Sequence, residues 1–303
     1  MVRQLGVIGC GLMGGSFALA LRHAQQVQRV VGYSRSSEAR QQALSLGVID
    51  VAAESVAQAV MGSDVVLVAV PVAATEETLR EVGLHLDAHA LCMDVGSTKV
   101  QVMEAAERAL GSRLDCFVPA HPIAGKELAG VGHADAQLYR DRLVVLTPTA
   151  NASTGVAARL DRARELWRAV GARVEIMTAQ AHDDAFAAVS HLPHLLAFAY
   201  MKGLMDQPER HKFLRRAGPG FRDFSRIAGS DAVVWRDILL SNSQATLAQL
   251  AEFRQALDQF ERWLRAGQGS ELQGAIEAVA TERRGWRLAD PAVSSTKIQD
   301  AET

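Results

Sequence analysis

The sequence lacks the features that mark several classes of protein. Its 303 residues contain no apolar run of about 18 or more residues, so no membrane-spanning helix is expected. The formal net charge is only -2, which gives no overall basic field for binding nucleic acid or an anionic membrane. The first residues enter an apolar stretch with no charged segment and cleavage site before it. We therefore expect a cytoplasmic protein without a secretory signal.

Cysteine is also scarce. Cys10, Cys92 and Cys116 are odd in number, lie far apart and have no metal-ligand spacing. We interpret them as small buried hydrophobic residues in a reducing compartment. Hydrophobic residues make up 49% of the chain and charged residues 22%, which is typical of a globular protein with ample material for a core. The length is compatible with two domains.

The first half of the chain alternates short apolar runs with amphipathic helical patterns. Several of the runs are almost continuously apolar, as strands buried on both faces should be. This alternation predicts an α/β fold of the Rossmann type, a doubly wound parallel sheet with helices on both faces. The predicted strands cover residues 5–9, 29–33, 64–70, 90–95, 115–120, 142–148 and 172–177.

After about Met177 the strand pattern stops. TAQAHDDAFAAVSHLPHLLAFAYMKGLM predicts one long helix that is bent near Pro193. Residues 230–267 have apolar side chains at helical spacing over many turns. Long apolar helices need partners, so we expect a homodimer formed through an all-α C-terminal domain. The predicted organisation is a dinucleotide-binding domain over 1–177, a helical substrate and dimerisation domain over 178–290, and a flexible tail over 291–303.

A glycine-rich loop supports the assignment of the first domain. Gly9, Gly11 and Gly14 form G-x-G-x-x-G between a predicted strand and a predicted helix, the context in which this pattern binds a dinucleotide. The first glycine permits a tight turn, the second lets the backbone approach a pyrophosphate, and the third allows close packing of helix on strand. A merely structural turn is the alternative. Four neighbours complete the predicted cofactor site: Leu12, Met13, Val70 and Pro71.

The end of the second predicted strand bears on the choice of cofactor. Ser34 lies about 20 residues after Gly14, where an acidic side chain would bind the ribose hydroxyls of NAD. Here Ser34 is followed by Arg35 and Ser36, whose guanidinium and hydroxyl groups suit a 2′-phosphate. We predict NADP as the preferred cofactor, with NAD possible. A solvated turn that discriminates poorly is the alternative.

Two polar residues follow predicted strands at the edge where open α/β sheets bind ligands. His121 follows the strand CFVPA, and Ser97 follows the strand MDV. An imidazole with an ordinary pKa of about 6.5 can accept a hydroxyl proton near neutral pH. The hydroxyl of Ser97 could orient that imidazole or bind a substrate oxygen. Taken alone, His121 fits an ordinary surface or core histidine as well.

The helical half carries two further features. His191 and His194 are three residues apart and share a helix face, but no cysteine or carboxylate at a supporting spacing makes a zinc site, so we expect no metal. The second feature is a basic segment over residues 208–231, which has six basic residues and only three acidic ones. This excess of positive charge suggests an anionic substrate, although a solvated loop is the usual explanation of such a run. We expect Arg226 to be partly desolvated. The six are Arg210, Lys212, Arg215, Arg216, Arg222 and Arg226.

Several separated motifs resemble, in the same order, those of the prephenate and arogenate dehydrogenase family of tyrosine biosynthesis. They are HPIAGKE, LYRDRLVVLTP, HDDAFAAVSHLPH and GFRDFSRIAGSDAVVWRDILLSN, and the resemblance covers roughly residues 5 to 265. It implies oxidative decarboxylation of prephenate, arogenate or both to 4-hydroxyphenylpyruvate or tyrosine, with hydride transfer to NADP. It leaves open which substrate is preferred, how strongly NADP is favoured, and whether tyrosine inhibits.

The resemblance also implies roles for single residues. His121 matches the catalytic general base, and Ser97 matches the serine that orients it and contacts the substrate or the nicotinamide. Arg226 matches the arginine that binds a substrate carboxylate. The predicted substrate site thus comprises Ser97, Glu127, His194, Arg226 and Trp235. Asp223 and Trp235 are expected near the subunit boundary of a homodimer.

Two other functions fit parts of the sequence. The β-hydroxyacid dehydrogenases also combine a glycine loop with a helical second half. They are expected to carry a catalytic lysine on the first long helix of that half, where this chain has His182, His191 and His194. A non-catalytic redox sensor that binds NADP and dimerises would leave those histidines and the basic loop unused.

Overall fold

The computed structural model describes residues 1–126, 128–149 and 154–287. These residues divide into two compact units, Met1–Thr246 and a second unit that begins at Leu247. The predicted domain boundary between residues 177 and 178 stays a prediction. Within the described ranges, no helix is long and apolar enough to cross a membrane.

A six-stranded parallel sheet forms the centre of the first unit, with the strand order β3-β2-β1-β4-β5-β6. The last residue of β1, Ile8, lies opposite Tyr33 of β2 and Val68 of β4. The loops that follow these three strands therefore leave the sheet side by side. The strands are β1 Val2–Ile8, β2 Val27–Tyr33, β3 Val51–Ala52, β4 Val65–Val68, β5 Leu91–Asp94 and β6 Phe117–Val118.

Helices cover both faces of this sheet, which confirms the doubly wound prediction. Alternate residues of a strand point to opposite faces. Accordingly, Leu67 and Met93 belong to one buried apolar cluster, and Val68 and Cys92 belong to the other. The helices between the strands are α1 Leu12–His23, α2 Ser37–Ser45, α3 Val56–Val60, α4 Thr75–His85 and α5 Val100–Leu110.

A second, three-stranded sheet follows, so the prediction of one continuous strand over 115–120 is wrong. That run divides at Pro119, which has no N–H to donate to a ladder. The new sheet has the order β7-β8-β9, with β7 antiparallel and β9 parallel to β8. Its strands are β7 Ala120–Pro122, β8 Leu143–Leu146 and β9 Arg173–Ile176. Helix α6, Thr154–Ala169, comes between β8 and β9 in the chain.

After β9, every regular element among the described residues is a helix, as predicted. The expected long helix is interrupted by a π-helical segment, Ala187–His191, which ends two residues before Pro193. The missing N–H and the ring of a proline displace the preceding turn, and π-segments are one way a helix absorbs this. The helices of the first unit here are α7 Ala179–Phe186, α8 Leu192–Met205, α9 Arg210–Leu214, α10 Pro219–Ser225 and α11 Ala232–Ser241.

Two long helices end the described chain. Helix α12, Ser243–Ala266, starts in the first unit, and α13, Gly269–Gly285, belongs to the second. Large apolar side chains are exposed on both helices in the single chain. They are Leu247, Leu257, Leu264, Ile276 and Val279.

Candidate active site

The glycine loop between β1 and α1 has the shape of a phosphate-binding turn. Gly9 has a φ of +100°, a conformation that side chains rarely adopt, and a Cβ there would lie 2.2 Å from the carbonyl oxygen of Ala69. A Cβ on Gly14 would lie 2.2 Å from the carbonyl oxygen of Gly9. Around Gly11 no described atom lies within 4 Å of such a Cβ. The loop therefore has room for a pyrophosphate at Gly11, in front of the N-terminus of α1.

Two clefts meet at this loop. The first, which we call the narrow cleft, has a volume of about 350 Å³ and lies beside Gly9, Ser34 and Arg35. Glu77 and Glu81 of α4 line the same cleft, so it contains charges of both signs. Its shape and its place at the end of β2 suit the adenosine half of a dinucleotide.

The second, which we call the wide cleft, has a volume of about 790 Å³. It joins the glycine loop to residues of the helical half, and it shares Val70 and Pro71 with the narrow cleft. This continuity gives an extended ligand one path across both clefts. The predicted site residues on its wall are Gly11, Leu12, Met13, Ser97, Arg226 and Trp235.

The turn after β2 is held by hydrogen bonds. The hydroxyl of Ser34 accepts the N–H of Cys10 at 2.9 Å, which ties this turn to the glycine loop. The guanidinium of Arg40 donates to the carbonyl of Ser34 at 2.7 Å. Ser36 lines neither cleft. Its hydroxyl accepts the N–H of Ala39 at 3.1 Å and so caps α2.

Aromatic residues shape the helical side of the wide cleft. The ring of His194 stacks on Trp235 with centroids 3.5 Å apart, and its Nδ1 lies 2.9 Å from the carbonyl of Ser190. Because a carbonyl can only accept, Nδ1 carries the proton. Burial lowers the pKa of His194, and the charge of Arg226 lowers it further. Arg226 is an exposed residue on the wall of the wide cleft, and the expected partial desolvation of its guanidinium stays a prediction.

His121 lies on β7 and is half-buried, but it is not on the wall of the wide cleft. Its Nδ1 is 2.7 Å from Nε2 of His182, and Nδ1 of His182 is 2.7 Å from Oδ1 of Asp183. We call these three side chains the histidine chain. Burial holds the pKa of His121 well below 6.5, and the nearby His182 and Lys99 contribute in the same direction. The imidazole of His121 is therefore neutral at neutral pH, as a general base must be.

The histidine chain ends at the buried carboxylate of Asp183. Asp183 accepts the backbone N–H groups of Lys99 at 2.7 Å and Val100 at 2.9 Å, at the N-terminus of α5. The side-chain amide of Asn242 donates to the carbonyl of Asp183 at 2.7 Å. Each carboxylate oxygen of Asp183 thus accepts one backbone N–H group.

A buried ion pair joins the ends of β5 and β7. Nζ of Lys99 donates to Asp94 at 2.6 Å and to the carbonyl of Ala120 at 2.8 Å, next to His121. The other oxygen of Asp94 accepts the N–H of Ala120 at 2.9 Å. Burial lowers the pKa of Lys99, and the carboxylate of Asp94 opposes this. The pair fixes the strand that carries His121.

The two clefts bring together most of the predicted binding residues, whereas His121, His194, Gly14 and Ser36 line neither cleft. Glu127 lies outside the described residues. Sequence reasoning assigned no role to His182 or Lys99. A histidine and an acid inside an apolar helix, HDDAFAAV, were the available signal, because such groups need buried partners. Among the described residues there is no group of three or more His, Cys, Asp or Glu that could hold a metal ion.

A Rossmann-type domain, a glycine loop with room for phosphate and a cleft that continues to helical residues define the class of protein. It is an oxidoreductase that uses a nicotinamide dinucleotide. Residues 17–176 match the nucleotide-binding domain of prephenate dehydrogenase, and residues 178–278 match its dimerization domain. The chain belongs to the prephenate dehydrogenase family, as the sequence motifs predicted. Family membership decides against the β-hydroxyacid dehydrogenase alternative.

Individual relatives agree. The chain is 34% identical over 259 residues to prephenate dehydrogenase of Bacillus subtilis, covering 85% of this chain and 66% of that protein. It is 32% identical to cyclohexadienyl dehydrogenase of Zymomonas mobilis, covering 83% of this chain and 85% of that protein. Prephenate dehydrogenase of Aquifex aeolicus, solved with hydroxyphenyl propionate and NAD+, superposes with a TM-score of 0.86 at 34% identity. That likeness covers 94% of this chain and 98% of the solved one.

Proposed function

We propose that the protein oxidises and decarboxylates prephenate, arogenate or both, with hydride transfer to a nicotinamide dinucleotide. The observation that carries this proposal is the wide cleft, which places the glycine loop, Ser97 and Arg226 on one wall. The named relatives support it, since they are prephenate and cyclohexadienyl dehydrogenases. The substrate is a small anion, for which Arg226 is a suitable partner.

The residues of the two clefts fit a dinucleotide. The open space at Gly11 accommodates phosphate, and Ser34 and Arg35 stand where the adenosine ribose would lie. When bound, the nicotinamide supplies the acceptor for the hydride that leaves the substrate carbon. The chain's own residues supply the remaining functions, which are substrate binding and proton removal.

In the proposed mechanism His121 accepts the proton of the ring hydroxyl through its Nε2. The developing ketone is conjugated to the ring carbon that carries the carboxylate, so it accepts the electron pair released as carbon dioxide leaves. The aromatic ring that results makes the reaction effectively irreversible. Arg226 binds a substrate carboxylate, and His194 and Trp235 form an aromatic wall of the site. Ser97 and Glu127 keep their predicted roles in binding the substrate.

A steady-state assay of each substrate with each cofactor tests the proposed function. We expect reduction of NADP or NAD with prephenate, arogenate or both, and no reduction with 3-hydroxyisobutyrate. Binding of the cofactor without any turnover of either substrate would favour the redox-sensor alternative instead.

Arg226→Ala is expected to raise the KM for substrate about 10- to 100-fold with a smaller effect on kcat. The reason is that a charge-assisted hydrogen bond contributes roughly 1.5–3 kcal/mol. Arg216→Ala is the matched control. Arg216 is an exposed arginine of the same basic segment, its guanidinium donates to the carbonyl of Lys212, and it does not line the wide cleft. An unchanged substrate KM in Arg226→Ala would remove Arg226 from carboxylate binding.

We also propose that NADP is preferred over NAD. Ser34 and Arg35 at the end of β2 support this, because hydroxyl and guanidinium groups bind a 2′-phosphate that a carboxylate there would repel. Arg35→Ala is expected to lower kcat/KM for NADP about tenfold or more and to leave that for NAD within about twofold. Arg29 is an exposed arginine on β2 outside the narrow cleft, so Arg29→Ala should change neither kcat/KM value. A wild-type preference for NAD would overturn the proposal.

We propose that the protein is a homodimer formed through its helical half. The apolar side chains exposed on α12 and α13 support this, since large exposed apolar patches mark interaction surfaces. The matched family describes the corresponding segment as a dimerization domain. Sedimentation or light scattering of the purified protein measures the state directly, and a monomer at micromolar concentration would contradict it.

A further inference from the structure

The direction of the hydrogen bonds in the histidine chain is determined by its buried end. Asp183 accepts two backbone N–H groups, so its carboxylate acts as an acceptor toward His182 as well. Nδ1 of His182 must therefore carry a proton and donate it to Asp183 at 2.7 Å. Burial lowers the pKa of His182 although Asp183 opposes this, so the ring carries only that one proton at neutral pH.

The same reasoning fixes the next link. Because Nε2 of His182 has a lone pair and no proton, the 2.7 Å contact requires that Nδ1 of His121 donates. A neutral imidazole carries one proton, so Nε2 of His121 is bare. The bare nitrogen is the one that does not face His182. Which nitrogen of a histidine acts as a base is commonly set in this way by the partner of the other nitrogen.

The histidine chain is also held rigidly. His182 and Asp183 are 0% and 1% exposed. The ring of Phe186 lies against both imidazoles, with centroids 4.9 Å from His121 and 4.4 Å from His182. Asn242, between α11 and α12, fixes the backbone of Asp183. The charged and titratable neighbours of this assembly are Lys99, Asp94 and His191.

We propose that His182 and Asp183 are positioning residues that keep the proton of His121 on Nδ1 and so make Nε2 the base. The catalytic consequence rests on the proposed function, whereas the placement of the proton does not. In the reaction the substrate's hydroxyl proton moves to Nε2 and the electron pair of the O–H bond forms the C=O bond, while the C–H pair of the same carbon would leave as hydride to a bound nicotinamide. In the imidazolium that results, the Nδ1–H of His121 stays hydrogen-bonded to Nε2 of His182. Asp183 stabilises that charge through the polarised ring of His182, and no proton needs to pass from His121 to His182 or Asp183.

Nitrogen-15 NMR of the histidine-labelled protein, without substrate, tests the proton placement. We expect Nδ1 of His121 and Nδ1 of His182 to give shifts of protonated nitrogens, and both Nε2 atoms to give shifts of unprotonated ones. A protonated Nε2 on His121 in the wild-type protein would overturn the proposal. Because this readout needs no turnover, it remains decisive if neither prephenate nor arogenate is a substrate, an outcome that would refute the proposed function alone.

Two variants of His182 test the consequence. His182→Phe keeps a ring of similar size but cannot accept from His121, and we expect kcat to fall about 10²- to 10⁴-fold. The KM for substrate should change by less than about threefold, because His182 does not line the wide cleft. His182→Gln, whose amide oxygen can accept the Nδ1–H, should recover part of the loss. His211→Phe on α9, at an exposed position, is the control and should match the wild type.

Folding of each variant is checked by its circular dichroism and cofactor binding. If His182→Phe does not fold, His182→Gln and the wild-type NMR spectrum carry the test. A folded His182→Phe with wild-type kcat and unchanged nitrogen shifts on His121 would refute the positioning role.

Discussion

His121→Asn is expected to lower kcat by about 10²- to 10⁴-fold, the usual contribution of a general base. Asparagine places its amide near the position of Nδ1, so it can still donate to His182, which lies 2.7 Å from Nδ1 in the wild type. The variant therefore preserves the buried contact and removes only the nitrogen that would accept the substrate's proton. The dissociation constant of the cofactor should stay within about twofold, because His121 lines neither cleft.

Stopped-flow or steady-state measurement of nicotinamide reduction gives kcat for this variant. His89→Asn is the matched control, since His89 is exposed in the loop between α4 and β5. Turnover in His121→Asn within about fivefold of the wild type would take the role of base away from His121.

Lys99→Met is expected to destabilise the protein by roughly 3–5 kcal/mol, the range found when one partner of a buried ion pair is removed. The side chains of Lys99 and Asp94 are only 0% and 3% exposed, so the carboxylate left behind has no access to water. Methionine matches the length and volume of lysine, which limits the cavity contribution. The midpoint of urea unfolding measures the loss.

Two comparisons separate the charge from the packing. Adding Asp94→Asn to Lys99→Met should restore part of the stability, because the uncompensated charge is then gone. Arg80→Met removes an exposed pair with Glu76, and such pairs contribute about 0–1 kcal/mol. If Lys99→Met lowered the free energy of unfolding no more than Arg80→Met does, the buried pair would not hold β5 and β7 together.

The parts of the protein that could be predicted from sequence are those encoded locally. The glycine loop is one, because turn, phosphate space and helix packing depend on three glycines within six positions. The disturbance of the helix near Pro193 is another, because a single proline lacks the backbone N–H that a regular helix needs. The division of residues 115–120 between two sheets was missed, although Pro119 offered a local reason for it.

The parts that could not be predicted depend on contacts between distant segments. His121 and His182 are 61 positions apart, and Lys99 and Asp183 are 84 positions apart. No periodicity connects them, and Lys99 meets Asp183 where α7 packs against α5. Ser36 shows the reverse case. Its position after β2 favoured a phosphate contact, and the structure uses its hydroxyl to cap α2.

The most direct test of the central proposal is the balance between hydride and carbon dioxide. Prephenate and arogenate, labelled with isotopic carbon in the ring carboxylate, are incubated with the protein and either cofactor, and both products are counted. The proposed function predicts equal amounts of reduced nicotinamide and labelled carbon dioxide. Reduced nicotinamide without loss of the label, or no reduction with any of the four combinations, would contradict it.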